Sequence, residues 1–384
     1  MIDYAGQNGH SSYCKQPLHE LHDLPEQRLG PSFIRHPNNS QLFAMISSQF
    51  PKVTVFIPVY NREQYVGEAI ESILAQTFSD FEILLVDDGS SDRSVDKIRS
   101  YTDPRIRLVC NEENLGIPKT RNKGVELARG QYMAMLDSDD RAFPDRLEKQ
   151  VAFLDTHPEY VQVGSWCRMM DAQGQVLNKI KWQPALPDDI HAQFLFRCAM
   201  SNRSIMARTA VLKEYGYRND YPRCQDYELH VRLARHYKLG NLPECLVYGR
   251  IHQQQITGQT LGLGDAKKQE IISGQLKELG VIFSQDDLDP HLTLSRMRKS
   301  RFIPDANYLE WAREWLLRLQ QANKQTQHYA EPAFSHALRE KWLQACWTGR
   351  TKIGWAVWKY FFSSPLSKNI VSTLRRQACR KKHS

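Results

Sequence analysis

The chain has no apolar run long enough to cross a bilayer. Its greasiest stretch, Ile353 to Phe362, is interrupted by Lys359 and falls short of the roughly 20 residues a spanning helix needs. The eight cysteines (Cys14, Cys110, Cys167, Cys198, Cys224, Cys245, Cys346 and Cys379) are scattered, with no C-x-x-C pair. That spacing argues against a zinc site or a disulfide framework and for reduced thiols in a cytoplasmic compartment. The opening MIDYAGQNGHSSYCK has no basic stretch followed by an apolar core, so a secretory signal is not expected. No G-x-G-x-x-G follows the first apolar run and no G-x-x-x-x-G-K-[ST] occurs, which disfavours a dinucleotide fold or a phosphate-cradling loop. Acid is missing from Lys341 to Ser384, where ten Lys and Arg stand. The net charge of +8 therefore belongs to the tail, and the rest of the chain is slightly acidic.

What is present reads as an ordinary globular composition, 41% hydrophobic and 24% charged, in a chain long enough for one large and one smaller unit. Residues 1–50 are polar and aperiodic and are expected to form a poorly ordered arm. From Pro51 the pattern changes. Val53 to Val59 is a β-branched run that suits a strand buried on both faces. Asn61 is placed to cap a helix whose apolar positions Val66, Ala69, Ile70, Ile73 and Leu74 follow helical spacing. A second strand spans Glu82 to Val86, a helix runs through Val95 and Ile98, and a third strand lies around Arg105 to Cys110. Another helix runs from about Pro118 to Ala128, and a fourth strand is Gln131 to Leu136. This alternation predicts a doubly wound, mostly parallel α/β sheet. Further on, a strand from Tyr160, a turn at Asp171 to Gly174, a helix from Pro187 to Cys198, a helix after Asp226 and a strand near Leu246 to Arg250 complete a unit over residues 51–260. Residues 261–384 read as helical, including Tyr308 to Leu319 and Trp342 to Tyr360.

In open α/β sheets, ligands bind at the carboxyl ends of the strands. Strand one ends in Pro58-Val59-Tyr60-Asn61, strand two in Asp87-Asp88, and strand four in Asp137-Ser138-Asp139-Asp140. Carboxylates repel bare phosphate but can hold a hard divalent cation that binds it. Loop solvation or helix capping would explain Ser90-Ser91-Asp92 equally well. The three carboxylates after Tyr132 to Leu136 need a cation or another offset to their mutual repulsion.

These stretches resemble the catalytic domain of the family 2 glycosyltransferases, which have the GT-A fold. The matching pieces are Val55 to Asn61, Ser72 to Thr77, Val86 to Asp92, Asn114-Leu115-Gly116, Lys119 to Gly124, Leu136 to Asp140, Pro144 to Leu147 and Gln225 to Leu229. The resemblance implies inverting transfer from a nucleotide-sugar donor, with Mg²⁺ or Mn²⁺ as cofactor. It puts Pro58, Tyr60 and Asp88 at the nucleotide base and Arg121 near the diphosphate. Asp137 and Ser138 would lie at the donor within the D-x-D motif, and Asp139 would bind the metal. Asp226 would be the catalytic base, although Gln225 replaces the acid that usually precedes it. His252, in an R-x-H after the last strand, would complete the metal shell or contact the diphosphate. Arg250 would brace that loop.

The tail combines its bases with Trp342, Trp347, Trp355, Trp358, Phe361 and Phe362, a pairing suited to an anionic membrane surface and a glycan or lipid-linked acceptor. Helices simply packing on the catalytic unit would read the same way. No nucleic-acid motif accompanies the charge. A nucleotidyltransferase would carry a Gly-rich basic loop where Val59-Tyr60-Asn61-Arg62 stands. A silent glycan- or nucleotide-binding member of the same fold would have lost the D-x-D or the base. A processive synthase would show Q-x-x-R-W and membrane spans.

Overall fold

Val53–Val59 forms strand β1, six of whose seven residues are buried. The structure is a computed structural model, and it describes residues 50–252, 261–297 and 302–371. The arm expected before Pro51 and the end of the basic tail lie outside the described residues. Strand β2 (Phe81–Asp87) is buried along its whole length, as its unbroken apolar run requires. With β3 (Ile106–Cys110) and β4 (Tyr132–Met135) it makes a parallel block in the order β3-β2-β1-β4. Helices α1 (Val66–Leu74), α2 (Ser94–Arg99) and α3 (Ile117–Leu127) are the crossovers.

The pairing then changes sense. After β5 (Arg141–Ala142) and helix α4 (Arg146–Thr156) come β6 (Tyr160–Met170) and β7 (Val176–Lys181), a hairpin closed at Asp171 to Gly174. Helix α5 (Pro187–Phe194), β8 (Met206–Arg208), α6 (Thr209–Tyr215), α7 (Gln225–Ala234) and β9 (Lys238–Arg250) follow. β8 runs antiparallel to both β4 and β6, β5 antiparallel to β9, while β6 and β9 are parallel. The sheet is thus parallel at its start and mixed as a whole, because a short hairpin such as β6–β7 can join only antiparallel neighbours.

Two local expectations change. Asn61 does not cap α1. It takes φ 52° in the left-handed region and its side chain accepts from the Ser91 N–H at 2.9 Å, tying the β1 loop to the β2 loop. The helix begins instead after Tyr65, with no side-chain cap. The helix expected from Trp342 to Tyr360 is two helices. α11 (Ala333–Ile353) ends at Gly354, whose φ of 65° suits a residue without Cβ. α12 (Val357–Ser363) follows a short 3₁₀ turn.

Among the described residues only helices follow the sheet: α8 (Leu261–Glu278), α9 (Gln285–Ser295), α10 (Ala306–Thr326), then α11 and α12. They share a core with the sheet unit. Ala192, Leu195 and Phe196 at the end of α5 pack with Leu276, Leu292, Trp315 and Leu338 of the helices. His291 fastens the junction. Its Nε2–H donates to the Leu195 carbonyl and its Nδ1 accepts from the Trp315 indole, each at 2.9 Å.

Candidate active site

Register brings the strand ends together. Val59 pairs with Asp87, and the Asp88 N–H donates to the Val59 carbonyl at 2.8 Å. The Leu136 N–H donates to the Phe56 carbonyl, so the loop after β4 leaves the sheet beside the loop after β1. Tyr60, at the tip of β1, is 45% exposed, and Pro58, two residues before it, is half-buried. Asp88 is buried and accepts three hydrogen bonds: from the Asn111 side chain at 2.8 Å, and from the Leu115 and Gly116 N–H groups at 2.9 and 3.0 Å. A carboxylate has about four acceptor positions, so one remains. Gly89 follows with φ 72°, and a Cβ there would stand 2.8 Å from the Glu113 backbone. The loop after β2 therefore lies directly against the loop that Asp88 holds.

At the end of β4, the carboxylates of Asp137, Asp139 and Asp140 have oxygens within 4.8 Å of one another. Arginines supply an offset to their repulsion. Arg203 donates to Asp140 at 2.7 Å and its Nε lies 3.6 Å from Asp137. Arg121 stands 3.9 Å from Asp137, and Arg62 3.9 Å from Asp139. Arg250 is fully buried. Its N–H donates to Asp140, its Nε to the Asp139 carbonyl and its Nη2 to Glu68, binding the acidic loop to β9 and α1. Below the loop, the buried Arg146 donates to the Met135 and Ile205 carbonyls.

Burial separates the three acids. Asp140 is wholly buried. Burial pushes its carboxyl up, Arg203 opposes this, Asp139 and Asp137 push it up further, and the net direction is well upward. Burial also works against the Arg203 charge, but Asp140, Asp137 and Asp139 outweigh it and hold the guanidinium above its ordinary range. Its burial and its bonds to Arg203 and the Arg250 N–H make Asp140 part of the scaffold. Asp137 and Asp139 keep 30% and 10% of their side chains exposed and face the cleft.

Asp226 lies in the first turn of α7 and is half-buried, its Oδ1 accepting from the Tyr227 N–H at 2.9 Å. The helix is anchored on both sides. The Tyr227 hydroxyl donates to the Phe194 carbonyl, and Arg232 grips Glu228 and the Tyr215 and Gly216 carbonyls. One turn beyond Asp226, His230 is fully buried, and burial pushes its imidazole down to about 4. Its Nδ1 meets the Gln162 amide at 3.1 Å, while its Nε2 has no partner among the described residues.

One cleft gathers most of the residues singled out in the sequence: Pro58, Tyr60, Asp88, Arg121, Asp137, Ser138, Asp139 and Asp226 all line it. His252 is not on that wall. Its Nε2 lies 2.8 Å from Asp139 Oδ2, and its ring is 5.1 Å from that of Tyr65. Arg62 and Arg203 line the cleft too and escaped the sequence reading. Arg203 sits in the polar loop Ser201-Asn202-Arg203-Ser204, where nothing distinguishes it from a surface arginine. The same lining includes Arg296, Lys341, Gln344, Trp347 and Phe362 of the helices.

The chain resembles known glycosyltransferases. Residues 54–203 match the model of glycosyl transferase family 2. An uncharacterised glycosyltransferase of Methanocaldococcus jannaschii is 35% identical over 206 residues, which cover 52% of this chain and 71% of the relative. TuaG of Bacillus subtilis, a glycosyltransferase named for teichuronic acid biosynthesis, is 42% identical over 106 residues, 27% of this chain and 42% of its own. Among solved structures, S. aureus TarS residues 1–349 in complex with UDP-GlcNAc superposes with a TM-score of 0.50 at 19% identity, covering 78% of this chain and 90% of that one. At that identity the likeness speaks for the fold, the GT-A architecture that the sequence predicts.

Proposed function

The chain belongs to glycosyl transferase family 2, and from that footing we propose that it moves a sugar from a nucleoside-diphosphate sugar, UDP-linked, to an acceptor hydroxyl with inversion. The observation that carries this is one cleft holding two unlike acidic sites, the Asp137–Asp139 loop at the strand ends and Asp226 at the head of α7. The exposed Tyr60 ring offers a face for a base, and the free acceptor position of Asp88 suits a base N–H. Arg121 is buried, and its Nε and Nη1 have no partner among the described residues, so donors remain for a diphosphate.

Asp137 and Asp139 offer hard oxygen donors facing the cleft, a set that fits Mg²⁺ or Mn²⁺. Such an ion would neutralise the leaving diphosphate. Asp140 is not a ligand in this proposal: it is wholly buried, it does not line the cleft, and its Oδ1 already accepts from Arg203 and the Arg250 N–H. His252 would keep Asp139 aligned or exchange that bond for the cation. Asp226 would take the acceptor proton as the acceptor oxygen bonds the anomeric carbon and the sugar–phosphate bond breaks on the opposite face. The relative named for teichuronic acid biosynthesis makes a cell-surface polysaccharide or glycolipid the acceptor class to try first, and the TarS complex makes UDP-sugars the first donors.

A thermal-shift panel of UDP-, GDP-, dTDP- and CDP-sugars with and without Mn²⁺ tests the reading. A rise in Tm with one sugar nucleotide, dependent on metal and abolished by Asp139→Ala, is expected. Asp226→Asn should keep the shift and stop transfer, and NMR of the product anomer reports inversion. No metal-dependent shift with any donor would overturn the proposal.

A further inference from the structure

The segment from the end of α11 through α12 leaves large aromatics in water. Trp355 is 87% exposed, Phe362 75% and Trp347 52%. Trp355 and Phe362 stand seven residues apart on nearly continuous helical backbone, two turns, and so share roughly one face. Behind them, Trp358 packs on Trp347, Phe361 and Phe362, and Val357 and Phe361 anchor the segment in the core. The aromatics are held out by a fixed scaffold.

The segment carries only positive charges of its own. Arg350, Lys352, Lys359 and Lys368 are exposed, and the segment from Lys341 onward contains no acid. Arg350 stacks 3.7 Å above the Trp347 ring, which keeps its charge at the level of the aromatics. Of the four, Lys352 is paired with an acid, Asp305 of the neighbouring helix. Exposed Trp and Phe cost free energy in water and are stabilised at the boundary of headgroups and acyl chains. Lys and Arg at the same level are drawn to anionic headgroups.

The face is continuous with the cleft. Trp347 and Phe362 belong both to it and to the lining of the cleft that holds Asp226. We propose that Trp347, Trp355 and Phe362, together with Arg350, Lys359 and Lys368, seat the protein on an anionic lipid bilayer, with the cleft opening toward the headgroup layer. The seating stands on the surface itself. Its use, presenting a membrane-held acceptor to Asp226, rests on the transfer proposed above.

Sedimentation of the full chain with phosphatidylcholine vesicles, with and without phosphatidylglycerol, tests the seating. Partition onto the anionic vesicles should exceed that onto the neutral ones at least about tenfold and weaken with salt. Trp355→Ser/Lys359→Glu alters two exposed side chains away from the cleft. It should lower the partition about tenfold while Tm and the metal-dependent nucleotide shift stay unchanged. Three results would overturn the seating: no preference for anionic vesicles, equal partition of the variant, or a dimer in light scattering that the variant abolishes. The nucleotide shift is read separately, so failure of the transfer reading shows there and not in the vesicles.

Discussion

At Arg203 a single side chain holds a wholly buried carboxylate and touches a second that faces the cleft. Removing the arginine strands Asp140, and breaking a buried pair is strongly destabilising, here about 3 kcal/mol for Arg203→Ala. Denaturant unfolding measures this, and adding Asp140→Asn should recover part of the loss. An unchanged midpoint in the single variant would show that Asp140 needs no partner. The acids of this loop could be read from the sequence, because three carboxylates after a buried strand are a local pattern. Their counter-charges could not. Arg62, Arg121, Arg203 and Arg250 arrive from four separate segments, and spacing along the chain does not encode which arginine reaches which acid.

Among the elements, β1 and β2 announced themselves because a strand covered on both faces is an unbroken apolar run. The short strands β5 and β8, of two and three residues, carry too few side chains to show any periodicity, and the six-residue β7 buries none of its side chains, so it has no apolar run to read. Helix α3 lies close enough to β1 that a Cβ on Gly124 would fall 2.3 Å from the buried Phe56 ring. Gly124→Ala should therefore cost about 1–3 kcal/mol through overpacking. A lowered Tm checks it, and Phe56→Leu in the same chain should relieve part of the cost. The break between α11 and α12 depends on Gly354 at positive φ, where any other residue is strained.

For the molecule as a whole, the sheet and the helices unfold together if their shared core is the main contact between them. Calorimetry should then show one cooperative transition rather than two. Protons should weaken that unit. Burial pushes His291 down to about 4, and burial followed by the neighbouring His328 does the same to His191, against an ordinary value of 6.5. Between those values the unfolded chain binds protons that the folded chain refuses, so stability is full above pH 6.5 and falls as pH drops toward 4. Each such histidine should contribute about 1.4 kcal/mol per pH unit in that window. Urea midpoints from pH 7.5 to 5 measure the slope, and a flat profile would contradict the burial of these imidazoles.

The sequence by itself determined the alternation of strands and helices, the acids at the strand ends and the family to which they belong, because each is written in neighbouring residues. The tertiary structure decided what spans the chain: that the sheet turns mixed after β4, that Arg203 and Arg250 balance the acidic loop, and that Asp140 is buried while Asp137 and Asp139 face the cleft. It also placed the aromatic face of the C-terminal helices on the rim of the cleft. These pairings join residues tens to hundreds of positions apart. Only the packing of the closed core brings such residues within reach of one another.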